Sequence, residues 1–464
     1  MSEHSKRPVE KAGSRFNNDL TGGSVVGQLI KFAIPFLLSN ILQACYSVAD
    51  IMIVGQYCGK AGITGVSIGG QINLLVTNAI LGLAVSGTVL VAQYLGAKKY
   101  EDQRRTIGTL STMFLIFSVV VTAVMLVCGG YVLRLLNTPE SAFGEAERYL
   151  DICMCGTLFM FGYNAICAVL RGMGDSKRPL YFVAIAVAVN VVLDLLLVGK
   201  FNMSAAGAAL ATIISQALAM IISLIYLVKT GFFQGFTLKD FAIDREKSRL
   251  LIKIGLPSAV QSIVVSLSFL LLTRLVNSLP NAEVAAACQG IGGKVNSFGI
   301  LPGLAVAGAV SSMVGQSIGA GLYDRAKKTM TVGIMMGLCV SIIVFAVVEL
   351  FPEYILMAFI KDDPEVIATG VPYMRLISMD YIFASVVFSL NALAIGSGHT
   401  LFALFNALFS SIAVRVPMAY LFVYAFDMGF NGVGLALGIA SLASMIVGAV
   451  YVQSGRWKRR LISS

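Results

Sequence analysis

Twelve runs of apolar residues, each about twenty or more long, constrain this chain more than any motif does. Such a run is what a helix needs to cross the hydrocarbon of a bilayer. Inside hydrocarbon every backbone N–H and C=O must be satisfied internally, so only helices or closed barrels can span it. The ten-residue polar/apolar alternation of barrel strands is absent, and the expected fold is all-α. Spans are expected over 29–54, 64–92, 106–128, 148–170, 179–199, 204–228, 251–276, 285–318, 328–350, 370–397, 401–425 and 431–453. Composition agrees: 12% of the 464 residues are charged and mean hydropathy is +0.84, against about 25% charged in a soluble protein. The second and eighth spans are Gly-rich and longer than a crossing needs, which suggests tilt, breaks or close helix contacts.

The formal net charge of +10 is topological and is not a nucleic-acid signal. With these spans, 25 of the 34 Lys and Arg fall on one side, which carries a net +15, while the other side carries −5. The positive side is cytoplasmic by the positive-inside rule. Both termini are therefore expected inside: a tail over 1–28 and a basic tail over 454–464. The tail lacks an apolar h-region, so no cleaved signal peptide is expected. The eight cysteines form no CxxC pair and read as small apolar residues.

The chain repeats. GGQIN at 69–73 matches GGKVN at 292–296, and AQYLGAKKYE from Ala92 matches GQSIGAGLYD from Gly315, both at an offset of 223. Pro35 corresponds to Pro257, and Gly172 and Gly174 to Gly396 and Gly398. Duplication of this kind marks transporters. Two six-helix lobes are expected, over 29–228 and 251–453, joined by a cytoplasmic linker over 229–250. Each repeat starts in the cytoplasm, so the lobes should be related by a pseudo-two-fold along the membrane normal. A cavity between them is the expected place for a substrate.

The ionisable residues inside spans are few. Asp50 is the only charge between Lys31 and the end of the first span, and Pro35 should kink that helix. Asn190 and Asp194 stand four apart in the fifth span, on one helix face, and Thr212 in the sixth adds a hydroxyl. Asp50 and Asp194 are at similar depth. Two carboxylates, an amide and a hydroxyl suit either a proton or a small hard cation such as sodium, and burial of paired carboxylates is what proton coupling requires. The alternative is two unrelated acids, each hydrogen-bonded locally. The second lobe is no chemical copy: Leu272 takes the place of Asp50 and Arg415 that of Asn190. Its set is Lys294, Asp380 and Arg415. This set could line a cavity, but an internal ion pair of Asp380 with Lys294 or Arg415 is the favoured reading, because buried charges need partners. Gly-rich runs at 290–294 and 172–177 lack phosphate-loop spacing. No set of nucleophile, base and metal ligands can be assembled, so an enzyme is not expected, and energy must come from an ion gradient or an external partner.

The stretches IPFLLSNILQACYSVADIMIVG, LRGMGDSKRP at 170–179 and VGQSIGAG at 314–321 resemble the multidrug and toxic compound extrusion (MATE) family. The resemblance runs from about residue 25 to 453. It implies a twelve-helix, two-lobe inner-membrane protein that expels organic cations in exchange for protons or sodium, needs no cofactor besides that ion, and works in the lipid bilayer as a monomer. It further implies a cation site at Asp50, Asn190, Asp194 and Thr212 and a switch by bending at Pro35. Some sodium-coupled members carry acids on helices 7 and 10. Here the seventh span has none, and Asp380 lies about a turn from the aligned helix 10 position. The rival functions are a flippase for lipid-linked or polysaccharide intermediates, which needs a basic cavity, and a channel or receptor-like scaffold.

Overall fold

A computed structural model describes residues 18–360, 363–459 and 462, apart from the side chains of Lys60 and Ala61. The expected tails therefore lie partly outside the described residues, at 1–17 and at 460, 461, 463 and 464. Among the described residues there are helices and no strands. Among the described residues eleven helices are long and apolar enough to cross a membrane, and one bent pair makes twelve when counted as a single span.

In chain order the first six are α1 (Val25–Tyr57), α2 (Gly59–Gly96), α3 (Tyr100–Leu135), α4a and α4b (Glu140–Cys155 and Thr157–Gly172), α5 (Lys177–Asp194, continued by a π-helical turn Leu195–Lys200) and α6 (Ser204–Lys229). The second six are α7 (Arg245–Val276), α8 (Ala282–Gly299 and Leu301–Gly319), α9 (Tyr323–Leu350), α10 (Pro364–Gly396), α11 (Thr400–Leu408, extended through two π-helical turns to Ala425) and α12 (Phe430–Gln453). The fourth span, expected over 148–170, begins earlier and bends by 49°. Its polar first turns, Glu140 to Asp151, hid it from a hydropathy reading. Of the two long Gly-rich spans, α2 is continuous and α8 breaks at Ile300.

Glycine explains the shared motifs of the two repeats. A Cβ on Gly172 would lie 2.6 Å from the Thr88 carbonyl oxygen and 2.9 Å from Val91 Cβ. Gly396 meets Ser311 and Val314, the corresponding residues of the second repeat, in the same way. Both helix ends are then turned by a glycine in the left-handed region, Gly174 at φ +80° and Gly398 at φ +85°. Lipid offers no hydrophobic drive between helices, so such close approach supplies much of the packing energy. One side of α3 is apolar and exposed at Leu115, Val119, Val120 and Val127.

The contacts divide the chain into two compact units. The first holds Leu38–Gly255 with residues 18–20, and the second holds Thr21–Leu37 with the described residues from Leu256 on. The first turns of α1 (25–37) and α7 (245–255) thus each pack with the unit that the rest of the helix does not join. This differs from the expected lobes over 29–228 and 251–453. Each changeover falls within two residues of a proline, Pro35 or Pro257.

Each displaced helix start is clasped. In the first unit, Lys247 of α7 is 3% exposed and donates to Asp102 Oδ1 at 2.8 Å and to the Tyr94 hydroxyl at 2.9 Å. In the second, Arg325 of α9 donates to the carbonyls of Gly22 and Gly23 at 2.6 and 2.9 Å and to Gln28 at 2.7 Å. Asp102 and Arg325 occupy equivalent repeat positions, at the offset of 223.

The linker expected over 229–250 is shorter, because α6 reaches Lys229 and α7 starts at Arg245. It docks on α3: Thr112 donates to the Phe241 carbonyl at 2.7 Å, and Asp240 passes over Gly108, where no Cβ would fit.

Candidate functional site

In the first unit α1, α5 and α6 bring the expected polar residues together. Asp50 is 9% exposed, Asn190 2%, Asp194 0% and Thr212 8%. The Asp50 and Asp194 carboxyls are close enough to interact electrostatically, with no hydrogen bond between them. Asp194 ends the regular part of α5, and the chain then passes into a π-helical turn. Turns of that kind recur at functional sites, since the extra residue re-aims its neighbours.

Tyr46 completes the group. Its hydroxyl pairs with Thr212 Oγ1 at 2.9 Å, and Thr212 also donates to the Ala208 carbonyl at 3.0 Å. Tyr46 thereby ties α1 to α6 beside the two acids. The sequence alone did not place Tyr46 with this group. The missed signal was its position four residues before Asp50, on the same helix face.

The hydrogen bonding of the site is incomplete. Asp50 Oδ1, both Asp194 carboxyl oxygens and both polar atoms of Asn190 are buried without a partner. Among the described residues no ion pair involves either acid. Buried polar groups ordinarily have partners, and buried charges are paired or take up a proton or metal. Open oxygens and an amide, without a basic residue, form a donor set for a proton or a small hard cation.

The same place in the second unit holds apolar core. Leu272, at the Asp50 position, is 1% exposed, and Ala419, which follows Arg415 as Asp194 follows Asn190, is 0% exposed. Both pack in one cluster with Tyr373, Ile377 and Val433. The expected ion pair is corrected here. Lys294 is exposed on α8, and among the described residues neither Lys294 nor Arg415 comes within 4.0 Å of Asp380. The bonds of Arg415 go to a serine and an aromatic ring instead. Helical spacing places all three residues in spans but leaves the distance between neighbouring helices open.

The MatE family model matches residues 35–196 and 257–421, once in each repeat, and each match starts at the corresponding proline. The chain belongs to the MatE family. This MatE protein is 33% identical over 444 residues to a Bacillus subtilis protein named "Probable multidrug resistance protein YpnP", covering 95% of this chain and 97% of that one. It is 25% identical over 443 residues to a Thermotoga maritima protein named "Probable multidrug resistance protein NorM", covering 94% of each. Among solved structures it resembles an outward-facing multidrug resistance MATE family transporter, with a TM-score of 0.89 at 22% identity over 98% of both chains. It also resembles a MOP superfamily transporter from Pyrococcus furiosus, with a TM-score of 0.90 at 22% identity over 98% of this chain and 100% of that one. At that identity the structural likeness speaks for the fold. The family is one of membrane transporters and not of enzymes.

Proposed function

We propose that this MatE protein is a secondary antiporter of the bacterial cytoplasmic membrane, with both termini inside, that exports organic cations in exchange for H+ or Na+. The observation that carries the reading is the buried Asp50–Asp194 pair, with open oxygens and no basic partner. The names of the relatives, multidrug resistance proteins, support drug-like molecules as the cargo. Arrival of a proton or sodium ion from outside removes negative charge from the site. Asp50 and Pro35 share α1, so that change can be passed along the helix to the point where its packing changes from one unit to the other. Bending there expels the substrate, and release of the ion to the inside readies the protein for another. Coupling requires that ion and substrate bind with different relative affinities in the two states.

The test is efflux of a cationic dye from proteoliposomes under an imposed pH gradient or an imposed sodium gradient, for wild type and Asp194→Asn. Transport in wild type that disappears in the mutant, with folding retained, is expected, and the effective gradient names the ion. Normal efflux by Asp194→Asn would refute the site assignment. No dye movement under either gradient would favour the flippase reading.

A further inference from the structure

The second unit holds a charged cluster that the proposed cation exchange leaves unused. Arg415 ends the π-helical turn Phe409–Arg415 of α11, and Asp380 is midway along α10. Arg415 is 8% exposed. Its Nη1 donates to the Ser268 hydroxyl of α7 at 3.0 Å, and its guanidinium lies 4.8 Å from the centroid of the Phe269 ring. Its Nε has no partner. Asp380 faces the Ser441 hydroxyl of α12, and its Oδ1 has no partner either. The two charges are within electrostatic reach, yet among the described residues they form no contact pair. Four helices therefore converge on an arginine and an aspartate that are each only partly satisfied.

Opposite charges in a low-dielectric interior gain most by closing into contact, and holding them apart forgoes that gain. A group lying between them recovers it. The guanidinium edge matches a carboxylate, and an open carboxylate oxygen complements a positive charge. The π-helical turn is additional to the one that the second repeat shares in place with the first, Leu421–Ala425, and it delivers Arg415 to this point. The repeats consequently offer opposite chemistry: two acids in the first unit, an arginine beside a single acid in the second.

We propose that the Arg415–Asp380 cluster is a recognition site for substrates that carry a carboxylate as well as a positive charge, with the carboxylate on Arg415 and the cation toward Asp380. The proposal rests on the export reading for the route by which such molecules arrive.

The test compares rhodamine B with its ethyl ester, which share one cationic ring system and differ in the carboxylate. Fluorescence anisotropy would report their binding to the full chain in lipid nanodiscs. Wild type is expected to bind rhodamine B about tenfold more tightly or better, since a site built for a polar group rejects the analogue that lacks it. Arg415→Gln should abolish that preference by weakening rhodamine B to the affinity of the ester. Arg415→Lys, which keeps the charge and loses the planar fork, should retain part of it. The wild-type comparison needs no substitution, so a misfolded variant would not spare the proposal. Equal wild-type affinities, or a preference that survives Arg415→Gln, would overturn the Arg415 site and leave the export reading standing. Binding of neither dye would overturn both.

Discussion

Lys247 offers the sharpest energetic test of the clasp that holds α7 to the first unit. Its side chain is 4% exposed, its Nζ is 2.8 Å from Asp102 Oδ1, and it lies 4.6 Å from the centroid of the Tyr94 ring. The Asp102 side chain is 37% exposed, so water recovers part of what that carboxylate loses. Lys247→Met keeps the apolar stem and removes the charge. The lost charged hydrogen bonds are worth about 1.5–3 kcal/mol, and the ring contact about 0.5–1 kcal/mol. Discounted for the exposure of Asp102, the expected destabilisation is about 2–3 kcal/mol. A cycle with Asp102→Asn isolates the pair, and its coupling energy should be about 1–1.5 kcal/mol. That value is below the full loss because Tyr94, and Glu246 at 3.7 Å, still face Lys247. The exposed Arg105–Glu101 pair is the control: it is shorter, at 2.7 Å, but its side chains are 50% and 69% exposed. Its coupling should not exceed about 0.5 kcal/mol. Reversible unfolding by SDS titration in mixed micelles would measure both cycles. A Lys247–Asp102 coupling no larger than that of the control would refute the argument that burial, rather than distance, sets the strength of the clasp.

Other consequences follow from the packing and the second clasp. Gly172→Ala and Gly396→Ala should each destabilise by about 1–3 kcal/mol through overpacking against a backbone carbonyl, read in the same titration. Unchanged stability in both would mean that the two helix crossings are looser than the close approach implies. Arg325→Gln removes donors from the Gly22 and Gly23 carbonyls. It should raise amide hydrogen exchange across residues 22–28, with little change across α3 in the first unit. Exchange at the wild-type rate would show that other contacts hold this segment.

The spans and the duplication were legible in the chain because each depends on short-range pattern: apolar run length, and repeated glycines and prolines. Asp50, Asn190, Asp194 and Thr212 could likewise be grouped from depth and helix face, since rise per residue converts sequence position into height in the membrane. Tyr46 was within reach of the same rule.

Only the tertiary structure could decide how far apart residues on different helices lie. It separates Asp380 from both Lys294 and Arg415, and it buries Leu272 and Ala419 as apolar core where the first repeat gathers its acids. It extends the fourth span through acidic first turns and bends it, because tertiary contacts override local polarity. It also packs the starts of α1 and α7 with opposite units, through Arg325 and Lys247. Helical periodicity fixes which face and which height a side chain occupies. The identity of its neighbour depends on helix order, tilt and rotation, which arise from packing summed over the whole chain.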